Sequence, residues 1–243
     1  MDAPLIVAMW SGPRNLSTAL MRSFAQRPDC AVWDEPFYAA YLKATGLNHP
    51  MREECIAAGI PDPQRVAAAC LVPPAKPVFY QKHMTHHMIE GFPLDWSDRV
   101  TNAFLIRAPE RVLASYVRKH EAVEAGDIGF RRQRELFDRM ADKAGAPPPV
   151  IDSFDIRRDP EGALKALTAA LGLAFDPAML SWKPGPIPQD GIWGRHWYDA
   201  IWRSTGFAEA EGGLPALPAH LARLADEVRD DYLALRRHAL AVA

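Results

Sequence analysis

Five short apolar runs, separated by helical patterns, constrain the fold of this chain more than any other feature of its sequence. The runs cover residues 5–10, 31–33, 78–80, 103–106 and 150–151. Short strands that are apolar on both faces are typical of a parallel sheet that helices cover on both sides. The alternation therefore predicts an α/β fold of three layers with a central parallel sheet of about five strands. In such folds ligands bind beyond the carboxyl ends of the strands, so the residues that follow each run are candidates for chemistry.

The composition is that of a globular protein of moderate size. The chain has 243 residues, of which 49 % are hydrophobic and 24 % charged, and we expect residues 1–243 to form a single domain. The 28 basic and 30 acidic residues leave a net charge of −2, which argues against a nucleic-acid partner and against a polyanionic glycan as acceptor, but not against a local cationic pocket for one small anion. The three cysteines are an odd number at uneven spacing and lack metal-binding spacing, and a reducing, cytoplasmic setting fits them best.

Two further segments predict how the chain relates to membranes and to partners. The apolar run at residues 5–10 is too short for a membrane span or a signal-peptide core, so we expect neither a targeting segment nor membrane association. Residues 219–240 have the pattern of one long amphipathic helix. That helix would either pack on the sheet or form the contact of a homodimer, and the sequence leaves both interpretations open.

The segment after the first apolar run has the features of an anion site. It reads Gly12-Pro13-Arg14-Asn15-Leu16-Ser17-Thr18 and leads into a helical pattern. A tight turn between a strand and a helix presents free backbone N–H groups to an anion. Arg14 adds a guanidinium, and Ser17 and Thr18 add hydroxyl donors. The triphosphate-loop pattern, with a second glycine and a lysine before the hydroxyl residue, is absent. The alternative interpretation is a plain turn with Ser17 as the helix cap.

A second candidate anion contact follows the fourth apolar run. Arg107 ends the run, Pro109 begins a helix, and Ser115 lies in the second turn of that helix. An arginine at a strand end and a hydroxyl on the next helix can converge on one phosphate. A surface arginine and an unrelated helix serine are the alternative interpretation.

Together, the two segments resemble the sulfotransferases that use 3′-phosphoadenosine 5′-phosphosulfate (PAPS). In that family the first loop has a proline, a basic residue, Ser-Gly and two hydroxyl residues at the start of a helix, and Asn15 and Leu16 depart from this pattern. The second motif has an arginine that ends a strand and a serine eight residues later. It is matched by Arg107, Pro109, Val112 and Ser115.

The resemblance implies a P-loop NTPase-like three-layer sandwich that binds PAPS as co-substrate. The product nucleotide would be 3′-phosphoadenosine 5′-phosphate (PAP), and no metal ion is expected. Residues 12–18 would hold the 5′-phosphosulfate, with Arg14 stabilising the charge that develops there. Arg107 and Ser115 would hold the 3′-phosphate.

The resemblance extends over roughly residues 4–207. Gly191 and Gly194 would stand for a late glycine loop of the family, whose backbone N–H groups contact the 3′-phosphate. The whole frame is also similar to a bacterial sulfotransferase-like group, whose plant relatives carry names that allude to branched-chain aminotransferases. The sequence shows no resemblance to a pyridoxal-phosphate enzyme.

A base is needed to take the proton of an acceptor hydroxyl or amine, and two residues near strand ends are candidates. Glu35 follows the second apolar run, and several sulfotransferase groups use a glutamate at the corresponding place. His83 follows Lys82 after the third run, and the cytosolic group uses a histidine near that point. The resemblance leaves both candidates open, with Lys82 assisting the leaving oxygen.

The same residues also have structural interpretations. Asp34 and Glu35 could cap the helix that follows. His83 and His87 have the i, i+4 spacing of zinc ligands on a helix, but no glutamate accompanies them in the usual pattern, so no metal site is predicted. Residues 196–198 either line an acceptor pocket or pack as ordinary aromatic residues.

The sequence therefore predicts a PAPS-dependent sulfotransferase that acts on a hydroxyl or amine of a small-molecule acceptor. Two alternatives stay open. A nucleotide or small-molecule kinase with a P-loop is one, and the missing lysine and second glycine count against it. A non-catalytic homologue that still binds the nucleotide is the other. The sequence does not identify the acceptor, because acceptor pockets are built from loops.

Overall fold

The computed structural model describes residues 3–118 and 123–242. Its centre is a five-stranded sheet in which all neighbouring strands are parallel, in the order β2-β3-β1-β4-β5. The strands are β1 (Leu5–Ser11), β2 (Cys30–Asp34), β3 (Val78–Met84), β4 (Thr101–Ile106) and β5 (Val150–Asp152). Each contains one of the five apolar runs, so the predicted sheet is confirmed.

Helices follow the strands in the alternating order that the sequence predicts. They are α1 (Ser17–Ala25), α2 (Tyr38–Thr45), α3 (Arg52–Ala58), α4 (Pro63–Cys70), α5 (Pro109–Tyr116), α6 (Ala125–Ile128), α7 (Phe130–Ala144), α8 (Ser153–Arg158), α9 (Pro160–Ala170), α10 (Gly194–Trp197), α11 (Asp199–Trp202), α12 (Ala219–Glu227) and α13 (Arg229–Arg236). No helix among the described residues is long and apolar enough to cross a lipid bilayer.

Both faces of the sheet are buried. Successive side chains of a strand point to opposite faces, and on β1 each set packs in a core of its own. On β1, Val7 and Met9 pack in a core with α1, α8 and α9. Ala8 and Trp10 pack in a second core with side chains from α2, α4, α7 and α13. The sheet is therefore the middle of three layers, which confirms the predicted architecture.

Two helix boundaries differ from the prediction. The amphipathic segment at residues 219–240 is two helices, α12 and α13, and the prediction of one helix is wrong. The chain then leaves the helix, and the Leu240 N–H donates to the Val150 carbonyl at 2.8 Å, beside the edge of the sheet. The sequence pattern predicts that the helix beginning at Pro109 reaches about residue 120. It ends at Tyr116, and residues 119–122 lie outside the described part.

Strand β3 is longer than its apolar run, and this places two candidate residues inside the sheet. All seven residues of β3 are buried, including Lys82 and His83. A strand alternates its side chains, so these two neighbours point to opposite faces. Only one of them can contribute to a site on a given side of the sheet.

Candidate active site

The loop after β1 has the backbone of an anion-binding turn. Arg14 has φ 61° and Leu16 has φ 74°, and the residue between them does not share this left-handed conformation. Alternation of this kind aims successive N–H groups into one concavity. A left-handed arginine or leucine is also strained, at a cost of order 1 kcal/mol each, so the surrounding contacts must hold the loop in place.

Contacts of Asn15 and Gly12 fix the loop against its neighbours. The Asn15 side chain is buried and donates through Nδ2 to the Leu105 carbonyl of β4 at 3.3 Å. A Cβ on Gly12 would come within 2.9 Å of the Ile128 carbonyl oxygen, so a larger residue does not fit there. Asn15, which departs from the family pattern, therefore anchors the loop, and Gly12 allows close packing rather than lining the cavity.

The two segments singled out by the sequence meet in space. Arg14 donates through Nε to the Ser115 hydroxyl at 3.0 Å, and Arg107 donates through Nη1 to the Arg14 carbonyl at 2.7 Å. Burial, together with repulsion from Arg107 and Arg118, lowers the pKa of Arg14. An anion bound beside these guanidinium groups would relieve that repulsion.

One cavity of about 400 Å³ joins this cationic end to the ends of β2 and β3. At the cationic end it is lined by Pro13, Arg14, Asn15, Leu16, Ser17, Thr18, Arg107 and Ser115. Its other end is lined by Glu35, Tyr38, His49, Lys82, His86, His87, Trp193, Trp197 and Tyr198. The volume is typical of small-molecule sites.

Lys82 is the centre of a buried ionic cluster at the second end of the cavity. Its Nζ donates to Asp34 Oδ1 at 2.8 Å, to Glu35 Oε1 at 2.7 Å and to the Tyr198 hydroxyl at 2.7 Å. A lysine has three N–H donors, and all three are used here. Burial alone would lower the pKa of Lys82, but Asp34 and Glu35 outweigh it and raise the pKa. Lys82 therefore holds Glu35 in place and has no donor left for a leaving oxygen.

Glu35 is the partly accessible carboxylate of this cluster. Its side chain is 12 % exposed, whereas that of Asp34 is 1 % exposed. Burial raises the pKa of Glu35, although the charge of Lys82 acts in the opposite direction. Glu35 Oε1 is held by Lys82, and Oε2 lies 4.0 Å from His87 Nε2. Glu35 also has φ 41°, a strained conformation that the ion pair stabilises.

Asp34 and Tyr198 form the supporting part of the cluster. Asp34 Oδ2 accepts hydrogen bonds from the Tyr198 hydroxyl at 2.7 Å and from the Gly191 N–H at 3.1 Å. The Trp193 indole N–H donates to the Tyr198 hydroxyl at 3.2 Å. Burial raises the pKa of Tyr198 well above its ordinary value. For residues 196–198 the sequence predicts only an acceptor pocket or ordinary aromatic packing, because nothing near Tyr198 in the sequence indicates Asp34 as its partner.

His83 does not belong to this site, and its candidacy as the base is corrected here. It points to the face of the sheet opposite Lys82, where it stacks on Trp10 at 4.6 Å between ring centroids. Its Nε2 is hydrogen-bonded to Gln81 Oε1 at 3.0 Å, and burial lowers its pKa to about 3. His86 and His87 follow β3 and line the cavity in its place.

Gly191 and Gly194 are also placed differently from the prediction. Gly191 donates to Asp34, and Gly194 packs closely against the Tyr198 ring. Neither lines the cavity, and the loop that reaches Arg107 is instead the one that carries Glu211. No cluster of three or more metal-ligating side chains is found within residues 3–118 and 123–242.

An aromatic wall borders the Glu35 end of the cavity. Tyr38 stacks on His87 at 4.9 Å and meets Trp193 edge-on at 5.0 Å. Burial lowers the pKa of His86 to about 4 and that of His87 well below its ordinary value, so both rings are neutral near pH 7. His196 lies outside the lining, whereas its neighbours Trp197 and Tyr198 belong to it.

Comparison of the chain with known proteins identifies a matching family. The profile of a sulfotransferase domain matches residues 5–234. Two curated proteins of Arabidopsis thaliana, branched-chain-amino-acid aminotransferase-like proteins 2 and 1, are 34 % and 35 % identical over 96 % and 98 % of this chain. The match covers 42 % and 43 % of those proteins, so the chain spans about two fifths of the length of these relatives.

Two solved structures share the fold. The sulfotransferase domain from the curacin biosynthetic pathway superposes with a TM-score of 0.52 and 14 % identity, covering 94 % of this chain and 99 % of that one. The sulfotransferase domain from the Synechococcus PCC 7002 olefin synthase gives 0.52 and 18 %, covering 94 % and 97 %. At these identities the likeness concerns the fold, and it confirms the predicted P-loop-like α/β sandwich.

Proposed function

We propose that this chain, a member of the sulfotransferase domain family, transfers a sulfuryl group from PAPS to a hydroxyl or amine of a small-molecule acceptor. One observation carries the proposal. A single cavity has a cationic loop at one end and a partly accessible carboxylate, Glu35, at the other. Sulfuryl transfer needs both, since charge develops on the donor phosphate while the acceptor loses a proton.

The cationic end suits the two anionic groups of the donor. The loop at residues 13–18 and the start of α1 would hold the 5′-phosphosulfate, with Arg14 beside its bridging oxygen. Arg107 reaches the same loop from the end of β4 and would bind the 3′-phosphate. Because these contacts would strengthen as charge develops on the leaving phosphate, they favour the transition state over the bound donor.

The transfer step balances with Glu35 as the base. A bond forms between the acceptor oxygen or nitrogen and the sulfur, while the bond between sulfur and the bridging oxygen of PAPS breaks. The electron pair of that bond stays on the bridging oxygen, and PAP leaves. The acceptor proton passes to Glu35 Oε2, the oxygen that Lys82 does not hold. Burial raises the pKa of Glu35, which makes it a better proton acceptor than an ordinary glutamate.

Lys82 and Asp34 would act by positioning this base. Asp34 shares Lys82 with Glu35, so the ammonium group keeps a carboxylate partner after Glu35 is protonated. Both oxygens of Asp34 already accept hydrogen bonds, which excludes it as the base. The prediction that Lys82 assists the leaving oxygen is therefore replaced by a positioning role.

The lining favours a small, uncharged acceptor with an aromatic or flat apolar part. Near Glu35 the cavity is bordered by Tyr38, Trp193 and Trp197 and by neutral imidazoles. Among the described lining residues, the arginines lie at the donor end, and Lys82 is fully paired. The cytoplasmic setting and a possible homodimer stay predictions, as does the absence of nucleic-acid and membrane partners.

The donor is tested first by melting the protein with different nucleotides. We expect PAP to raise the melting temperature, whereas AMP and ATP with Mg²⁺ give much smaller shifts. A ligand at about 100 times its Kd stabilises the folded state by roughly 2.7 kcal/mol. Arg107→Ala should weaken PAP binding by about 1.5–3 kcal/mol, since it removes a charge-assisted contact.

The control in this experiment is AMP, which lacks the 3′-phosphate. Its affinity should change much less than that of PAP between the wild-type protein and Arg107→Ala, because for AMP the substitution removes only the hydrogen bond to the Arg14 carbonyl. Stabilisation by ATP with Mg²⁺ alone would contradict the donor assignment and favour a kinase. PAP binding without any transfer of labelled sulfate to a panel of phenols, alcohols and amines would favour the non-catalytic alternative.

A further inference from the structure

Three arginines from three different elements converge on one carboxylate, that of Glu211. Arg157 Nη1 lies 2.7 Å from Glu211 Oε1, Arg107 is hydrogen-bonded to the same oxygen, and Arg111 Nε lies 3.6 Å from Oε2. The arginines come from the end of β4, from α5 and from α8. The Glu211 side chain is only 9 % exposed.

The segment that carries Glu211 is held largely by these same arginines. Arg111 donates to the Gly212 carbonyl at 2.5 Å, and Arg157 donates to the Glu209 carbonyl at 2.8 Å. Residues 207–212 have no helix or strand of their own. The segment therefore lies over the arginines as an irregular stretch, and its release would not require a helix or strand to unfold.

The carboxylate is an incomplete partner for this cluster. Three guanidinium groups face one negative charge, which leaves an excess of two positive charges in a largely buried place. Arg107 Nε is buried and finds no acceptor in the described part of the chain. A phosphate monoester carries a charge of about −1.5 to −2 and three acceptor oxygens, so it fits this donor set better than a carboxylate does.

The position of the cluster connects it to the cavity. Arg107 lines the cavity beside Arg14 and Ser115, and Gly206 and Ala208 line it where the Glu211 segment begins. Arg107 is therefore shared between the cavity and the cluster. An anion entering from the cavity side would meet Arg107 first and would compete with Glu211 for it.

We propose that Arg107, Arg111 and Arg157 form a three-arginine phosphate site that Glu211 occupies as an internal anion. The 3′-phosphate of the donor would displace Glu211 from it. This inference rests on the proposed function for the identity of the nucleotide. It adds Arg111 and Arg157 as specificity residues for the 3′-phosphate. It also makes Glu211 a competitor that a nucleotide without a 3′-phosphate does not displace.

The test compares Glu211→Gln with the wild-type protein by calorimetric titration of PAP and of AMP. Loss of the internal competitor should tighten PAP binding about tenfold or more and leave AMP binding unchanged. Glu209→Gln is the matched control. Glu209 lies in the same segment, and the contact with Arg157 that the structure describes is made by its backbone carbonyl and not by its side chain. Arg157→Met should weaken PAP about tenfold without changing AMP.

Several outcomes separate this inference from the proposed donor. PAP binding to Glu211→Gln that equals or falls below wild-type binding overturns the inference while the donor assignment stands. If PAP binds neither protein but inorganic phosphate binds Glu211→Gln more tightly than wild type, the arginine site stands and the donor assignment fails. The same titrations are made with Glu211→Ala as a second variant that lacks the carboxylate. Circular dichroism checks that each variant is folded.

Discussion

At the scale of single residues, Glu35 combines accessibility, a raised pKa and a fixed position. We predict that Glu35→Gln lowers the rate of sulfate transfer by roughly 10²–10⁴, because the amide cannot take the acceptor proton. PAP affinity should not change, since Glu35 lies at the far end of the cavity from Arg107. Transfer rates with the best acceptor and PAP titrations measure the two effects separately.

The pH profile gives a second readout for the same residue. The wild-type rate should fall as the pH drops through the raised pKa of Glu35, because only the ionised carboxylate accepts a proton. This acid limb should disappear in Glu35→Gln. The exposed Glu90 provides the control, and Glu90→Gln should keep both the rate and the limb. An unchanged rate in Glu35→Gln would exclude Glu35 as the base.

The residues whose proximity could be predicted from the sequence are those that local geometry positions. Arg14 and Ser115 each follow a strand in a short, recognisable frame, and the structure joins them by a hydrogen bond. Glu211 and Tyr198 could not be predicted in their positions. Glu211 meets Arg107 across 104 residues of the chain and Tyr198 meets Asp34 across 164 residues, and nothing in the adjacent sequence specifies those partners.

At the scale of elements, α13 shows how a terminal segment completes the core. Leu235 of α13 is 1 % exposed and packs in the core beside Ala8 and Phe104, whereas Leu233 on the same helix is 45 % exposed. We predict that Leu235→Ala lowers the free energy of unfolding by about 2–5 kcal/mol, through lost burial and a cavity. Leu233→Ala is the matched control and should change it by less than about 0.5 kcal/mol. Urea unfolding followed by fluorescence measures both, and equal effects would mean that α13 does not belong to the core.

Element boundaries show why sequence patterns gave the strands but not all their ends. The apolar residues 78–80 predicted β3, but the strand continues through Gln81, Lys82 and His83. Polar residues can extend a buried strand when each finds a partner, and Gln81 donates to the Cys70 carbonyl at 2.7 Å. The partners of Gln81 and Lys82 come from other elements, so hydropathy along the chain ends the strand too early. The break at Val228 is likewise hidden, because the amphipathic pattern continues through it.

At the scale of the whole molecule, the two faces of the sheet have different roles: one borders the candidate active site and the other is buried in the core. Lys82 points toward the cavity, while His83, the next residue, points into the core formed with Trp10, Phe37 and Trp96. One strand therefore contributes a positioning residue to one face and a buried neutral imidazole to the other. A change at His83 should act on folding, and a change at Lys82 on the site.

This division predicts the pH dependence of stability. Burial lowers the pKa of His83 to about 3, that of His86 to about 4 and that of His87 well below its ordinary value. In the unfolded chain these histidines bind protons as the pH falls below about 6.5, whereas in the folded chain they stay neutral. The free energy of unfolding should therefore fall between about pH 6 and pH 5, by up to about 1.4 kcal/mol per pH unit for each of the three histidines.

Substitution of one histidine isolates its share of that slope. In His83→Gln the fall in the free energy of unfolding should be shallower by up to about 1.4 kcal/mol per pH unit, whatever the variant's stability at pH 7. His220 is exposed, so His220→Gln should keep the wild-type slope. Urea unfolding at several pH values between about 5 and 7 measures the three slopes. A His83→Gln slope equal to that of the wild type would show that His83 takes up a proton in the folded protein, and its enclosure by Trp10, Phe37 and Trp96 would then have to open in this pH range.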